Sequence, residues 1–476
     1  MIELIAHNLA PIMFASLVAF LLLGYPVAFS LAANGLIFFV VGVELAPYSQ
    51  SITLDWPLLG LTIGRILDIM RNDTLLAIPF FTLMGIVLEK SGMAEDLLDT
   101  AGQLFGPIRG GLAYAVIFVG ALLAATTGVV AASVIAMGLI SMPIMLRYGY
   151  DRSLAAGVIT ASGTLAQIIP PSLVLIVLAD QLGVSVGPMY AGAILPGLML
   201  VGLFCLYIFA ITILQPARAP ALPIEARTLG SGVASLFVVL LMSVVIGVVS
   251  WWLLQGNVAR GAGIWGTAIA ATIAYGVALI DKRLKYDYLS HLAQQVIIVL
   301  IPPLALIFLV LGTIFLGIAT ATEGGAMGAT GALLMAWFKG RLPYRILSEA
   351  LDGTTRLACF VMFILIGSRV FSLTFYGVNG HIWVEELMTG LPGGVWGFLI
   401  AVNALVFVLG CFIDFFEIAF IVIPLLAPVA QKLGIDLVWF GIIIGMNMQT
   451  SFLTPPFGFA LFYMRSVAPN GPWVDK

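Results

Sequence analysis

The sequence predicts an all-α polytopic membrane protein. Of its 476 residues, 62% are hydrophobic and 9% are charged, whereas a soluble domain carries roughly 25% charged residues. Its apolar runs also reach the length of about 20 residues at which a helix spans a bilayer. These runs are far longer than the strands of a membrane barrel and lack their alternation, so helices are favoured.

Apolar stretches that are candidate membrane segments follow one another along most of the chain. The first of them, 10–43, is expected to consist of two short pieces, because a Gly-Tyr-Pro run at 24–26 interrupts it. Two further stretches, 56–71 and 344–356, are amphipathic and are expected to lie as arms along the membrane interface. The remaining candidate segments are 74–89, 112–146, 153–182, 187–214, 232–254, 262–281, 293–318, 323–338, 357–374, 395–431 and 438–464.

Segments 112–146 and 395–431 are too long for one crossing and too short for two crossings with a loop. Each has small or polar residues near its middle. This pattern indicates either a re-entrant hairpin, whose tip reaches the middle of the membrane, or two tightly connected ordinary spans, and the sequence leaves both open. The residues concerned are Thr126, Thr127 and Gly128 in the first segment and Gly410 and Asp414 in the second.

The basic residues predict which loops face the cytoplasm, because cytoplasmic loops are enriched in lysine and arginine. Segment 376–394 has neither residue and is expected to be periplasmic. With this sidedness 153–182 runs outward and 438–464 runs inward, and Lys432 is a single exception on the wrong side. The basic clusters are Arg147 and Arg152, Arg218 and Arg227, Lys282, Arg283 and Lys285, and Lys339, Arg341 and Arg345.

Two parts of the chain repeat each other at a constant offset of 285 residues, as in Pro143 and Pro428. The stretch MPIMLRYGYD (142–151) is similar to APVAQKLGID (427–436). Because the copies are expected to cross the membrane in opposite directions, they predict an inverted repeat, with 230–285 as a two-span insert between them. The other matched pairs are Gly149 and Gly434, Asp151 and Asp436, Pro170 and Pro455, and Pro171 and Pro456.

Each copy carries two adjacent prolines inside a membrane segment, although one proline in a helix interior costs roughly 3 kcal/mol. In secondary transporters, helices broken near the membrane middle direct half-helix ends and free carbonyls at substrate and ions. The polar residues before each pair suit a sodium ion. The alternative is that they only bond their own helix and that the prolines only kink it. These residues are Thr160, Ser162 and Thr164, and Asn447, Gln449, Thr450, Ser451 and Thr454.

Three acidic residues in apolar surroundings are candidates for function, because an ionisable group at membrane depth is costly unless it is paired or hydrated. Asp414 is favoured over Glu417, one helical turn away, because it lies nearer the centre of its segment. Glu323 lies in GIATATEGG (317–325) and either binds an ion or caps the helix that follows.

Several classes of protein have no support in the sequence. It contains no GxxxxGK[ST], HExxH or GxSxG motif and no nucleophile–base set, which argues against an ATPase, a zinc protease, a serine hydrolase or an intramembrane enzyme. The net charge of −3 argues against nucleic-acid partners. The three cysteines are far apart and are interpreted as packing residues. Because there is no ATPase motif, an ion gradient or a partner chain must supply the energy.

Seven short stretches along the chain carry a resemblance to a known family. They are PFFTLMG (79–85), RGGLAYA (109–115), MPIMLRYGYD (142–151), IIPPS (168–172), LPG (195–197), GIATATEGGA (317–326) and TPPFGFALF (454–462). Together they resemble the large membrane subunit of tripartite ATP-independent periplasmic (TRAP) transporters, over nearly the whole chain except about 230–285.

The resemblance implies an elevator-type transporter of the ion-transporter superfamily in the bacterial inner membrane, driven by a sodium gradient. Sodium is then a coupling ion, and no other cofactor is implied. The implied partners are a small membrane subunit and a periplasmic binding protein that delivers an organic anion, typically a carboxylate or a sulfonate. The alternative is an ion-coupled anion carrier or exchanger that needs no binding protein, or a channel.

The family's motifs correspond to particular positions here: its first hairpin tip to 126–128, its acidic hairpin residue to Asp414, and its Thr-Pro-Thr-Glu motif to 320–323, with Ala321 in place of the proline. The expected sodium ligands are Thr126, Thr127, Gly128, Ser162, Gly163, Thr164, Asp414, Asn447, Thr450 and Thr454. The expected substrate contacts are Thr127, Thr164, Glu323 and Thr450.

The chain is therefore divided into six segments, in which two halves of a transport domain alternate with scaffold. The transport-domain halves each combine a hairpin with a broken helix. The segments are 1–111 (scaffold with arm 56–71), 112–182 (first transport half), 183–229 (scaffold and linker), 230–285 (insert), 286–394 (scaffold with arm 344–356) and 395–476 (second transport half).

Overall fold

The computed structural model describes residues 2–230, 232–255, 261–286 and 288–468, apart from the side chains of Leu22, Thr126 and Thr127. Within these residues the regular secondary structure is entirely helical, which confirms the all-α fold class. Eight of the described helices are long and apolar enough to cross a membrane, or nine if one bent pair counts as a single span.

The N-terminal part contains the predicted interruption and the first predicted arm. Gly24 has a φ of +80° and separates two helices, because a positive φ ends a right-handed helix. The arm is a separate helix, which Asp55 caps by accepting a hydrogen bond from the amide of Leu58 at 3.3 Å. The helices are α1 (Ile2–His7), α2 (Leu9–Leu22), α3 (Val27–Leu45), α4 (Trp56–Met70), α5 (Asp73–Lys90), bent by 49° from α4, and α6 (Met93–Phe105).

The first hairpin consists of two helices joined at Gly128 and Val129, and a broken helix follows it. Gly128 has a φ of +60°, which a glycine adopts without steric cost. Asp151 starts the next helix by accepting a hydrogen bond from the amide of Leu154 at 3.0 Å. The helices are α7 (Gly111–Thr127), α8 (Val130–Arg147), α9 (Arg152–Thr164), α10 (Leu173–Leu182) and α11 (Val186–Leu214).

The linker 215–227 after α11 is bonded to the base of this hairpin through its backbone. The amide of Gly110 donates to the carbonyl of Ala219 at 3.0 Å, and the amide of Leu222 donates to the carbonyl of Gly106 at 2.9 Å. These bonds satisfy polar groups that have no helical partner. The linker is therefore an ordered part of the fold.

The insert forms two helices packed closely together. A Cβ atom on Gly266 would lie 2.7 Å from the carbonyl oxygen of Gly247. The two helix backbones therefore approach closely at this pair of glycines. The ends of the insert also meet, because the hydroxyl of Ser290 donates to the carbonyl of Gly232 at 2.9 Å. The helices of this region are α12 (Val233–Leu254), α13 (Ala262–Leu284), α14 (His291–Phe315) and α15 (Ala321–Phe338).

The second predicted arm, 344–356, is not a separate element. It forms the first part of one helix of 34 residues, because no proline or helix-ending glycine separates it from the apolar stretch 357–374. The helices of this part are α16 (Tyr344–Gly377), α17 (Gly380–Thr389), α18 (Val395–Gly410), α19 (Phe415–Glu417), α20 (Ile423–Lys432) after a π-helical turn at Ile418–Val422, α21 (Leu437–Ser451) and α22 (Phe459–Val467).

The element bounds recur at the offset of the sequence repeat. Helices α8 and α19 begin at Val130 and Phe415, and helices α9 and α21 begin at Arg152 and Leu437. In both copies a glycine of positive φ and a capping aspartate precede the second of these helices. Both proline pairs, Pro170-Pro171 and Pro455-Pro456, are joined by a cis peptide bond. The recurrence supports a repeat, and its inverted orientation in the membrane stays a prediction.

The helices form two compact units. Unit 1 comprises Met1–Pro79, Val174–Gly192 and Gly353–Phe459, and unit 2 comprises Phe80–Leu173, Ala193–Asp352 and Ala460–Lys476. The second hairpin therefore belongs to unit 1, and the first hairpin and the insert belong to unit 2. The proposed division into six functional segments stays a prediction.

Lys432, the exception to the positive-inside pattern, has a partner in unit 1. Its ammonium group forms an ion pair with the carboxylate of Glu385. Glu385 lies on α17, within the segment 376–394 that was expected to be periplasmic. The ion pair thus neutralises the positive charge of Lys432, which the predicted sidedness places on the periplasmic side.

Two candidate sites at the helix breaks

The first candidate site lies where the broken helix of copy one stops. Helix α9 ends at Thr164 and α10 begins at Leu173. The proline pair at 170–171 lies between them and has no backbone N–H to donate. The hydroxyl of Ser172 donates to the carbonyl of Gln167 at 2.9 Å, so one carbonyl freed by the break has an internal partner.

The tip of the first hairpin packs directly on this break. A Cβ atom on Gly128 would lie 2.9 Å from Cγ and 3.0 Å from the backbone nitrogen of Leu173. Further along α7, a Cβ atom on Gly120 would lie 2.5 Å from Cβ of Ser162. Only glycine allows approaches this close, so α7 contacts both α9 and the first residue of α10.

The other arm of the hairpin contacts the same helix. A Cβ atom on Gly163 would lie 3.1 Å from Cα of Val134, which is on α8. Gly163 thus packs between α9 and the hairpin. The predicted ligands Thr126 and Thr127 are at the tip, but their side chains lie outside the described residues.

The hydroxyl groups of α9 donate to carbonyls of their own helix. Ser162 donates to Val158 at 2.6 Å and Thr164 donates to Ala161 at 2.9 Å, and both side chains are fully buried. Thr160 bonds its own helix in the same way. Bonding within their own helix was the simpler of the two interpretations of these residues. It is also compatible with an ion site, because a hydroxyl that donates its hydrogen keeps lone pairs for a cation.

Gln167 is a polar residue of this site that was not among the predicted ligands. Its side chain is fully buried, and neither its Oε1 nor its Nε2 atom has a hydrogen-bond partner in the described part of the protein. An unpartnered buried amide costs roughly 1–3 kcal/mol. Its residue type did not mark it as a site residue, because glutamine is also common on helix surfaces. The only signal in the sequence was its position three residues before the prolines.

The start of α9 is fixed by a small charged cluster at the base of the hairpin. Asp151 accepts hydrogen bonds from Ser153 and from Arg218, the latter at 2.9 Å. The bond from Ser153, together with those from Leu154 and Arg218, holds the pKa of Asp151 below its usual value. The carboxylate therefore stays charged and holds the linker against the hairpin.

The second candidate site has the same arrangement in unit 1. Helix α18 ends at Gly410, where a Cβ atom would lie 2.9 Å from Cβ of Ser451, the last residue of α21. The tip then turns at Asp414, which forms a capping box with Glu417. The amide of Asp414 donates to Oε2 of Glu417 at 3.1 Å. The two acidic residues therefore act as a unit, with Asp414 half-buried and Glu417 buried.

Helix α21 is bonded to the hairpin arm through two asparagines. The Nδ2 atom of Asn447 donates to the backbone oxygen of Asn403 at 2.7 Å and to its Oδ1 atom at 2.8 Å. Asn403, on α18, was not among the predicted site residues. Gln449 is 1% exposed, and its Oε1 atom has no partner among the described residues. Each candidate site thus contains one glutamine with an unsatisfied amide oxygen.

The hydroxyl groups near the second break also bond their own helix. Thr450 donates to the carbonyl of Asn447 at 2.7 Å, and Thr454 donates to the carbonyl of Thr450 at 2.9 Å. Both threonines are exposed or half-buried, unlike Ser162 and Thr164 in copy one. The two sites therefore differ in how accessible their hydroxyl oxygens are.

The π-helical turn after the second tip has a partner from another helix. The hydroxyl of Ser368, on α16, donates to the carbonyl of Phe420 at 2.5 Å. π-Helical turns leave the usual helical bonding pattern and often occur at functional sites. This bond ties the second hairpin to α16 within unit 1.

Glu323 caps a helix. Its Oε2 atom accepts a hydrogen bond from the amide of Thr320 at 2.8 Å, and the hydroxyl of Thr320 accepts one from the amide of Glu323 at 3.2 Å. Nearby, a Cβ atom on Gly325 would lie 3.1 Å from Cε2 of Phe81 on α5. Of the two roles considered for Glu323, capping is the one it has here.

The structure groups the predicted residues into two sets. Six residues of the set in unit 2 lie at the first break or its hairpin tip, and the set in unit 1 lies at the second, whereas Glu323 shares unit 2 and caps α15. Unit 2 holds Gly128, Ser162, Gly163, Thr164, Pro170, Pro171 and Glu323, and unit 1 holds Asp414, Asn447, Thr450, Thr454, Pro455 and Pro456.

Comparison with known proteins identifies a family over nearly the whole chain. The model of the tripartite ATP-independent periplasmic transporter, DctM component, matches residues 14–475. The C4-dicarboxylate TRAP transporter large permease protein DctM of Pseudomonas aeruginosa is 30% identical, over 85% of this chain and 79% of that protein. The isethionate TRAP transporter permease protein DctMQ of Oleidesulfovibrio alaskensis is 25% identical, over 96% of this chain and 60% of that protein.

Two further similarities extend the comparison. The sialic acid TRAP transporter permease protein SiaT of Haemophilus influenzae is 22% identical, over 94% of this chain and 60% of that protein. Among solved structures, the Alcanivorax borkumensis YdaH transporter has a TM-score of 0.53 and 15% identity, over 93% of both chains. At this identity the structural similarity concerns the fold alone.

Proposed function

The chain belongs to the DctM component family of TRAP transporters, and on this premise we propose that it carries a small organic anion into the cell together with sodium ions. The observation that carries the proposal is the contact between hairpin tip and helix break. Gly128 packs on Leu173 in one copy, and Gly410 packs on Ser451 in the other. A tip held against an interrupted helix is a suitable place for ions and substrate, because both ends supply polar backbone groups.

Sodium coupling is supported by the kind of polar atoms at the two sites. Sodium is a hard cation that binds oxygen, and the sites offer hydroxyl, amide, carboxylate and carbonyl oxygens. Ser162 and Thr164 already donate their hydrogens to backbone carbonyls, so their oxygen lone pairs are available to a cation. Asp414 adds a carboxylate at the second tip. These residues are our proposed sodium ligands, together with Gly128, Gly163, Asn447, Thr450 and Thr454 and, at the first tip, Thr126 and Thr127.

An anionic substrate is supported by the helix that starts after the first proline pair. The amide of Leu173, the first of α10, has no helical acceptor and lies at the positive end of the helix dipole. The named substrates of the relatives are C4-dicarboxylates, isethionate and sialic acid, all of which carry a carboxylate or sulfonate group. The proposed contacts are Thr127, Thr164, Thr450 and Glu323, the last of which also caps α15.

The proposed partners are a small membrane subunit and a periplasmic binding protein, and the proposed location is the bacterial inner membrane. The movement we propose is of the elevator type, in which each hairpin tip travels with the break on which it packs. The alternative remains an ion-coupled anion carrier that needs no binding protein.

Reconstitution separates these possibilities. The chain and its small subunit are placed in liposomes, and uptake of a labelled dicarboxylate or sulfonate is measured with and without an inward sodium gradient and with and without the binding protein. We expect uptake only when sodium and the binding protein are both present. Sodium-dependent uptake without the binding protein would establish the alternative, and sodium-independent uptake would contradict the coupling.

A further inference from the structure

A large apolar cavity lies within unit 2, between the insert and the first hairpin. Its volume is about 740 Å³, and it is lined by α12, α13 and α14, by the end of α6 and by Phe118 near the middle of α7. The lining side chains are almost all hydrocarbon. Those used below are Phe118, Leu236, Trp251, Ala271 and Val296.

Water is a poor occupant of this cavity. Among the described residues, its lining hydroxyls are Ser243 and Thr267, and both donate to their own helices, at 2.8 Å to Val239 and 2.9 Å to Gly263. A buried water needs two to four polar partners. An apolar space inside a bilayer is therefore filled by hydrocarbon.

The length of the cavity suits a flexible hydrocarbon chain. On α12 the lining extends from Leu236 to Trp251, a rise of about 22 Å at 1.5 Å per residue. This length of the α12 lining somewhat exceeds the thickness of one leaflet, which is half of a hydrocarbon core about 30 Å thick. It therefore suits a lipid tail.

The charges at one end of the cavity suit an anionic headgroup. Leu236 is near the start of α12 and Val296 near the start of α14, and the end of α13 meets both helices there. Asp281 accepts a hydrogen bond from Gln294 of α14 at 2.7 Å, which fixes this junction. The next residues along α13 and just after it include three exposed cations with no ion-pair partner in the described part of the chain: Lys282, Arg283 and Lys285.

We propose that this cavity binds an anionic phospholipid, with an acyl chain between the insert and α7 and the headgroup at Lys282, Arg283 and Lys285. By the positive-inside rule the headgroup is in the cytoplasmic leaflet. Juxtamembrane basic clusters of this kind attract anionic lipids. The tail contacts Phe118, so bound lipid links the two-span insert to an arm of the first hairpin.

The test uses a filled cavity and a matched control. Ala271→Phe places a ring in the cavity, whereas Ala268→Phe makes the same change on the same helix at a residue that does not line it. Each full-length protein is purified with its small subunit in mild detergent, and bound phospholipid is counted by native mass spectrometry. We expect the original protein and Ala268→Phe to retain anionic phospholipid and Ala271→Phe to lose most of it.

A second variant tests the headgroup. Replacing Lys282, Arg283 and Lys285 together by glutamine should keep the tail site but reduce the preference for phosphatidylglycerol over phosphatidylethanolamine by up to about 100-fold. Arg345→Gln, at an exposed cation elsewhere in unit 2, should leave the preference unchanged. Equal lipid retention by Ala271→Phe and the original protein would overturn the proposal. Loss of the small subunit from Ala271→Phe with lipid retained would assign the cavity to that partner instead.

Discussion

Substitution of Gly410 by alanine tests whether the contact between tip and break controls sodium binding. The added methyl group would lie 2.9 Å from Cβ of Ser451 and closer still to its hydroxyl oxygen, whereas carbon atoms are comfortable at about 3.5–4.0 Å. Overpacking of this kind costs roughly 1–3 kcal/mol. If the packed tip is the sodium-bound form, sodium affinity should fall by about 5- to 150-fold.

A second substitution should relieve the clash between the methyl group added at Gly410 and Ser451. Ser451→Gly removes both atoms that the new methyl group meets, at the cost of the bond from its hydroxyl to Met448 and of about 0.5 kcal/mol of helix propensity. In the double variant the two substitutions should compensate each other by about 1–3 kcal/mol. Sodium titration of substrate uptake in proteoliposomes measures this coupling for the four proteins of the cycle.

A matched control separates the contact from the general effect of a glycine replacement. Gly202 is on α11, and a Cβ atom there would meet nothing within 4 Å. Gly202→Ala should leave uptake unchanged and stabilise the protein slightly, by about 0.5–1 kcal/mol. The reasoning fails if Gly410→Ala keeps its sodium response, or if its defect is not relieved by Ser451→Gly.

Three further outcomes follow from the candidate sites. Gln167→Leu removes an unpartnered buried amide and should raise the melting temperature while reducing uptake; unchanged uptake in the stabilised variant would make the glutamine dispensable. Asp414→Asn should weaken the sodium dependence of uptake at normal protein abundance, and a normal sodium response would make this carboxylate structural. A disulfide between cysteines at Gly110 and Thr212, where a Cβ atom on Gly110 would lie 2.7 Å from Cγ2 of Thr212, should stop uptake until it is reduced; transport through the cross-linked protein would contradict an elevator movement of the hairpin against α11.

The sequence predicted helix starts well where a local signal sets them. Asp151 and Asp436 both precede a helix and cap it, and the offset between them reappears in the helix bounds. The capping bond is local, so the residue type and its spacing are sufficient. The continuation of arm 344–356 into the next apolar stretch was not predicted, because amphipathicity indicates which face meets water but not where a helix ends; its place along the interface stays a prediction.

Proline pairs show a second limit of the sequence. Pro302 and Pro303 lie inside the continuous helix α14, whereas Pro170 and Pro171 lie in a break. The residue type is the same, and only the packing around the helix decides whether the lost bonds end it or bend it. The repeat was therefore the informative signal, because it singled out two of the three pairs.

The polar partners of the sites were harder to predict. Asn403 bonds Asn447 across two helices that are far apart in sequence, and no spacing rule predicts such a pair. Gln167 was missed for a different reason, because whether an amide is buried and unpartnered depends on the helices that pack around it, here those of the first hairpin. Residues of this kind become visible only after the helices are packed.

The hydrogen bond between Ser290 and Gly232 has a consequence for how this chain can be shortened or recombined. It brings together the two points at which the chain enters and leaves the insert. The insert is therefore connected to the rest of unit 2 at a single junction. Closing so small a gap with a few residues costs little chain entropy, and insertions are tolerated best where their ends are close. A chain joined across this junction should keep the linker 215–227, whose backbone bonds serve the first hairpin, and lose only helices α12 and α13 with their lipid.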